Sequence, residues 1–456
     1  MAATPAAPEQ MDEEKVEATS ENILGTAGLT SNYDNDDNYD RLYPENLRAW
    51  IWVGIPAYRS SEMAPDADRN YRLCWGVFQE YYQHHILSDT PSSVLGLLGS
   101  TQGAVGTVSS LFIGKLGDRY GYKRFTVLAL LCSVAQLLGA AFSTKLWQLF
   151  LAQGVLQGLA TGLCFPFVLA YPAQWFRRRR GLAIGIVAGG SSFGGGTATL
   201  ILRAMLTKLS FRHTLLIYAG IHFVLMSIAI CLVKEGPGGA AGRAARGRVS
   251  LVDKRLIKDP IFWSVALSLG MCIFGFFSPY FFMPTYVAAR IPTASPQYVV
   301  LPSSIMNYAS ALGRALVGLL ADRIGPANAF MLAVFISASS QLLIWNLAYT
   351  YVTIMVFSVI FGATGGCFLA LMTPLAAQLF GAENLAGLTG TFNFFMTPGN
   401  LAAAPISGAL LAAAGGNWHA PIVWSGGVQV IAIGLMTYGE SKVDQTRDML
   451  RIMRMQ

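Results

Sequence analysis

Arg314 is the residue of this 456-residue chain whose surroundings demand most of it. It lies in an apolar run, eight residues before Asp322, so ~12 Å in from that end at ~1.5 Å per helical residue. A guanidinium at such depth is expensive in lipid and usually faces a polar cavity, a partner or backbone carbonyls. Asn307, Ser310, Arg314 and Gly318 follow at spacings of three, four and four, along one helical face. A fixed planar cation beside an amide and a hydroxyl suits a carboxylate-bearing anion. Packing against backbone carbonyls is the plainer reading of the same residue. Asn393 and Asn400, in a later run, fit either the lining of a polar site or an interhelical hydrogen bond.

A second set of charges sits at run ends. Gly114, Asp118, Arg119, Gly121 and Arg124 belong to GKLGDRYGYKR, and Gly318, Asp322, Arg323 and Gly325 repeat its core. Glycines there allow a tight turn and close helix approach. Asp118 can pair with a basic residue or cap a neighbouring helix N-terminus in one conformation and release it in another, which makes a latch. A static turn with topology-setting charge is the alternative, weakened by the duplication. Gly181, Gly185 and Gly189 form a small-residue face that lets helices touch and slide. His222, alone near mid-run, reads as a hydrogen-bonded structural group, and Arg203 as a snorkelling side chain at the outer interface.

No Walker loop, metal cluster or nucleophile triad is present, and Gly194-Gly195-Gly196 follows no strand. An enzyme reading therefore has no constellation behind it, and no cofactor or metal is expected. The six cysteines fall in or beside apolar runs without ligand or disulfide spacing, as small buried hydrophobes do.

The elements that must position these residues follow from composition. The chain is 53% hydrophobic and 12% charged, against about 25% charged in an average soluble domain. Eleven apolar runs lie near 92–113, 125–143, 146–171, 181–206, 213–233, 261–286, 302–321, 328–346, 349–371, 385–413 and 420–438. Their lengths match a hydrocarbon core ~30 Å thick, where only helices satisfy their own backbone. The expectation is an all-α polytopic membrane protein. Residues 1–48 read as a disordered cytosolic tail without a signal peptide, 49–233 as one bundle, 234–260 as a cytosolic linker, 261–438 as a second bundle and 439–456 as a cytosolic tail. Alternate loops carry sixteen Lys and Arg on one side against four on the other, which places the first set inside. That distribution explains the net charge of +7 without nucleic acid.

The halves repeat. Gly114-x-x-x-Asp118-Arg119-x-Gly121 recurs 204 residues later as Gly318-x-x-x-Asp322-Arg323-x-Gly325. Ala160-Thr161-Gly162-x-Cys164-Phe165 recurs 203 residues later from Ala363, and Gln174-x-Phe176 recurs 204 later from Gln378. Six runs separate equivalent points, so the halves insert in the same sense, with a site expected near the midplane between them. The repeat also demands a span before residue 92. What stands there is nine apolar residues, 49–57, reaching ~14 Å as helix. Six ionisable residues follow at Arg59, Glu62, Asp66, Asp68, Arg69 and Arg72. Twelve helices are expected, with the first disrupted.

These motifs resemble the major facilitator superfamily, through Gly114-x-x-x-Asp118-Arg119-x-Gly121-x-Lys123-Arg124 and its copy. Tyr171 to Gly185 (YPAQWFRRRRGLAIG) resembles the fifth-helix signature of monocarboxylate-porter-like proteins, fungal ones in particular. Trp75-Gly76-Val77-Phe78-Gln79 resembles the outer end of their first helix, and Asn307 through Gly318 their eighth. The likeness covers 49–58 and roughly 72–440, leaving 59–71 unmatched, which points to an altered exon join or mistaken gene model. It implies two six-helix halves and an eighth-helix arginine, here Arg314, that binds substrate. Two departures weigh against proton-coupled monocarboxylate transport. Ser310 stands where animal members carry an acid, and Leu73 where they carry a lysine.

The leading expectation is alternating-access carriage of a small organic anion such as a monocarboxylate. Arg314, Asn307, Ser310 and Asn393 would serve the substrate, and the Asp-Arg motifs the gate. Export of a secondary metabolite is the alternative, and a transport-dead or sensing product is the rival if the first helix is truly broken. Partners would be a small molecule and lipid, with a monomer in the plasma membrane rather than the vacuolar one.

Overall fold

Lipid leaves a polypeptide no water to satisfy its backbone, so each span must close its own hydrogen bonds. The computed structural model describes residues 92–176, 178–206, 208–232, 258–293, 295–381 and 385–455. Among the described residues the chain forms helices and no strand. We number them α1 (Ser92–Tyr120), α2 (Tyr122–Phe142), α3 (Leu146–Ala173), α4 (Arg180–Leu206), α5 (Phe211–Leu232), α6 (Pro260–Arg290), α7 (Pro296–Ile324), α8 (Pro326–Trp345), α9 (Tyr351–Phe380), α10 (Leu385–Ala413) and α11 (His419–Met455). The eleven expected runs correspond to these one for one. The disrupted first span, the N-terminal tail and most of the linker lie outside the described residues.

The surface is inverted relative to a soluble protein. On α7, Leu312 is 70% exposed while Arg314, two positions on, is 1% exposed. Polar atoms turn to the interior and leucines outward, as a lipid-facing bundle requires. Eight of the helices are long and apolar enough to cross a membrane. The three that fall short, α1, α4 and α7, carry the glycine, serine and threonine faces, and α10 is the least apolar of the eight. These four pack as two pairs, α1 against α10 and α4 against α7.

A shift of 204 residues carries α1 onto α7 with both ends in register. It likewise takes α2 to α8, α3 to α9, α4 to α10 and α5 to the first part of α11. The loop motif is tighter than its glycines alone suggest. Helix α1 runs through Gly114, Asp118 and Arg119 to Tyr120, and the turn is the single residue Gly121 at φ 90°. Gly325 does the same at φ 89°. Only glycine adopts this backbone without strain.

The other repeated motif marks a helix break. Helix α3 interrupts at Leu163–Cys164 and α9 at Gly366, where φ is −97° and ψ is 1°. Ahead of each break a threonine donates to the carbonyl four residues back: Thr161 Oγ1 to Gln157 O at 3.0 Å, Thr364 Oγ1 to Ile360 O at 2.8 Å. Such back-bonds bend helices. The π-helical segments Phe150–Leu156 and Ser340–Trp345 are not equivalent under the repeat. Helix α11 continues to Met455, through residues expected as a tail.

Buried polar groups tie spans together. Gln429 Oε1 accepts from Ser337 Oγ and Gln341 Nε2, both at 2.8 Å, and Gln341 Oε1 accepts from Ser425 Oγ at 2.6 Å, joining α8 to α11. His222 Nε2 lies 2.7 Å from Ser133 Oγ, joining α5 to α2 as a satisfied structural histidine would.

Candidate functional site

Two seams join the halves, α1 against α10 and α4 against α7, and the repeat exchanges one for the other. At the inner end of each, an aspartate caps a helix of the opposite half. Asp118 Oδ2 accepts from Gly387 N at 2.7 Å, in the first turn of α10, while Tyr122 donates its hydroxyl to Oδ1 at 2.6 Å. Asp322 accepts from Gly181 N at 2.6 Å and from Leu182 N at 2.8 Å, in the first turn of α4. Each carboxylate therefore meets the positive end of a helix dipole with charge-assisted bonds. Arg119, Arg124 and Arg323 are exposed, away from the seams.

The helices approach backbone to backbone. A Cβ on Gly318 would overlap the carbonyl of Gly181, and one on Gly185 the carbonyl of Arg314. Gly189 faces Ala311 and Gly114 faces Ala386 in the same way. The Gly181–Gly185–Gly189 face thus lies directly on α7.

Above the latches the seams differ. In α4–α7, Arg314 Nη1 donates to Ala188 O at 2.7 Å and to Ser191 Oγ at 3.1 Å. Ser192 Oγ donates to Ser310 Oγ at 3.4 Å, and Phe193 meets Tyr308 edge-on at 5.7 Å. The repeat places Ser110 where α7 has Arg314. There Asn393 Nδ2 donates to Ser110 Oγ at 3.0 Å, and Thr397 Oγ1 to Thr107 Oγ1 at 2.8 Å. One seam is clasped by a cation, the other by neutral groups at the same level.

Arg314 meets no carboxylate among the described residues, and its Nε donates to none of them. A buried donor left unsatisfied costs roughly 1–3 kcal/mol, and more when it is charged, so an acceptor at that edge is favoured. Ser310 stands beside it, because both approach the position of a missing side chain at Gly366. Asn307 instead donates to Ser303 O of its own helix at 3.0 Å. Asn393 serves the other seam. Of the expected substrate residues, then, Arg314 and Ser310 come together, and Asn307 and Asn393 are engaged elsewhere. Sequence reasoning missed Ser191, Ser110, Thr107, Thr397 and Gly366. The offset of 204 that paired Gly114 with Gly318 also pairs Ser110 with Arg314, and would have found the first seam.

Known proteins show the family. The family model of the Major Facilitator Superfamily matches residues 70–291 and 293–448. The chain belongs to the Major Facilitator Superfamily. This facilitator is similar to the MFS transporter asaE of Aspergillus flavus, 29% identical over 77% of this chain and 78% of that one. It is similar to the agnestins efflux protein AgnL12 of Paecilomyces divaricatus, 32% identical over 74% and 76%. The aspyridones efflux protein apdF of Emericella nidulans is 30% identical over 82% and 76%. Among solved structures, the human organic anion transporter MFSD10 superposes with a TM-score of 0.62 at 15% identity, covering 86% of this chain and 98% of that one. The Escherichia coli fucose:proton symporter FucP gives 0.60 at 14%, with the same coverage. These two likenesses concern the fold alone. The facilitator is a multi-pass membrane transporter of a family that is not enzymatic, and its likeness to monocarboxylate porters stays a resemblance.

Proposed function

We propose that this facilitator exports an organic acid of secondary metabolism by alternating access, with Arg314 as the group that holds the anion. The observation that carries the anion is the lone guanidinium set in the α4–α7 seam, with an unpartnered Nε and no carboxylate among the described residues. Direction and substrate class are supported by relatives whose names specify efflux of agnestins and aspyridones. They favour secondary-metabolite export, the alternative reading of the sequence, over the leading expectation of monocarboxylate carriage with no direction assigned.

The two aspartate caps act as the inner gate. Each contributes about 0.3–1 kcal/mol, up to ~2 where buried, so together they bias the inner side shut without locking it. Parting α4 from α7 breaks the Asp322 cap and frees Arg314 Nη1 from Ala188 and Ser191 in one motion. Parting α1 from α10 breaks the Asp118 cap, with only neutral groups at the level above. Positive loops place these caps, the 234–260 linker and the 439–456 segment on the cytosolic side. A monomer in the plasma membrane fits an exporter.

Deleting the gene in its native host tests direction. One organic acid should accumulate in the cells and fall in the medium, with re-expression restoring the balance. An unchanged partition of every organic acid overturns the export reading.

A further inference from the structure

We infer that Tyr122 is a positioning residue of the inner gate, which ties the Asp118 latch to the inner segment of α3. This rests on the Asp118 cap being part of that gate and adds to it the element the latch answers to.

Tyr122 is the first residue of α2, directly after the turn at Gly121. Its hydroxyl reaches back four residues and donates to Asp118 Oδ1 at 2.6 Å, while Asp118 Oδ2 accepts from Gly387 N across the seam at 2.7 Å. One carboxylate thus bridges a phenol of its own half and a backbone N–H of the other. Hydrogen bonds to an ionised group are short and weaken steeply as the angle departs from linear. A shift of the phenol therefore pulls on the cap.

The ring of Tyr122 is placed by α3. It stacks on Phe167, with centroids 4.8 Å apart at 18°, and meets Tyr171 edge-on at 5.3 Å and 88°. Both arrangements are ones that aromatic pairs prefer. Phe167 lies against Phe125 of α2 as well, at 5.7 Å, and its ring covers Gly117 of α1 so closely that any Cβ there would overlap it. At 0% exposure, Phe167 is keyed between α1 and α2. Both rings belong to Phe165–Ala173, the part of α3 on the inner side of its break at Leu163–Cys164. Element ends of this kind absorb changes of direction. The same segment also packs against the start of α10, so it touches both sides of the bond it governs.

The second half supplies an internal comparison. A shift of 204 residues puts Pro326 where Tyr122 stands and Ala321 where Gly117 stands. Helix α8 begins with that proline, which has no hydroxyl to offer. The two offsets found along α3, 203 and 204, agree on the rings: Phe167 falls on Ala370 or Leu371, and Tyr171 on Pro374 or Leu375. Phenol, rings and the glycine that admits them are missing together. Asp322 there gives both oxygens to backbone N–H groups of α4 instead. The Asp322 latch answers to the parting of α4 from α7, and the Asp118 latch answers also to the tilt of inner α3.

The test is labelling of Lys115→Cys, which lies against Gly387, by a soluble maleimide in the purified full-length protein in detergent. Protein without that cysteine gives the background. Tyr122→Phe keeps the ring and deletes the hydroxyl, and labelling should rise about threefold, the effect of an average hydrogen bond between membrane helices. Added to Asp322→Asn, it should multiply labelling by the same factor, as independent sites do. Added to Asp118→Ala, it should change nothing, whereas a general loosening of the bundle would raise every background alike. Phe167→Leu should raise labelling in the intact chain and leave it unchanged beside Tyr122→Phe. If Asp118→Ala does not elute as a single monodisperse peak, the Phe167→Leu pair decides. Labelling of Tyr122→Phe equal to the parent's, or a rise that persists beside Asp118→Ala, overturns the part given to Tyr122 and leaves the latch standing. Labelling of Asp118→Ala equal to the parent's overturns both.

Discussion

Asp118 and Asp322, at equivalent places in the two halves, each hold the first turn of a helix that belongs to the other half. The two are not equal. Asp118 is 1% exposed and braced by the Tyr122 hydroxyl, whereas Asp322 is partly exposed and spreads its oxygens over two backbone N–H groups.

Neutralising either aspartate should therefore favour the inner-open form, and the buried one more. Asp118→Asn should shift the equilibrium by about 1–2 kcal/mol, and Asp322→Asn by about 1 or less. Labelling of a cysteine placed at Lys115, which lies against Gly387, reads this from the loop side. Reactivity identical to that of the parent in both variants would remove the latch from the mechanism.

Close approach of the backbones makes a sharper prediction. Gly318→Leu forces a side chain into the Gly181 carbonyl, an overpacking worth about 1–3 kcal/mol. The inner seam should stay parted and substrate flux should fall by about tenfold or more, as that energy implies. Gly220→Ala, with open space around its Cβ, is the control and should leave flux unchanged. Equal flux in both variants contradicts a seam that must close.

His222 is assigned a structural part. Ser133→Ala deletes its 2.7 Å partner and should lower thermal stability in detergent by about 0.6–2 kcal/mol, the range for hydrogen bonds between membrane helices. The pH profile of flux should not move. A displaced profile would make His222 part of the coupling machinery instead.

What was legible in the residues follows from what lipid enforces. Apolar runs show their length because water cannot rescue a short span, so α1 through α11 could be placed before any coordinates. Arg314 was legible because a charge in such a run has few permitted roles. The break at Gly366 was not, since Ala363-Thr364-Gly365 reads as ordinary helix and only the threonine back-bond and its copy at Thr161 betray the bend. Nor could composition tell which seam Asn393 serves, because lining and interhelical bonding ask the same of an amide. The partnership of Arg314 with Ser191 depends on helix rotation, and glycine faces permit several.

Residues 59–71 bear on whether the present sequence is the transporting one. If the carrier account holds, transcripts spanning the codons for residues 58–72 should include a joined frame that encodes an unbroken apolar helix. Exclusive confirmation of the charged stretch favours a non-transporting product.

The central claim is that Arg314 binds the cargo, and flux through proteoliposomes carrying a panel of aromatic and aliphatic carboxylates tests it most directly. Wild-type protein should move at least one of them. Arg314→Lys, which keeps charge but loses the bidentate fork, should retain part of that flux, and Arg314→Gln should lose about tenfold or more. An Arg314→Gln protein that transports the same acid with unchanged apparent affinity would contradict the account.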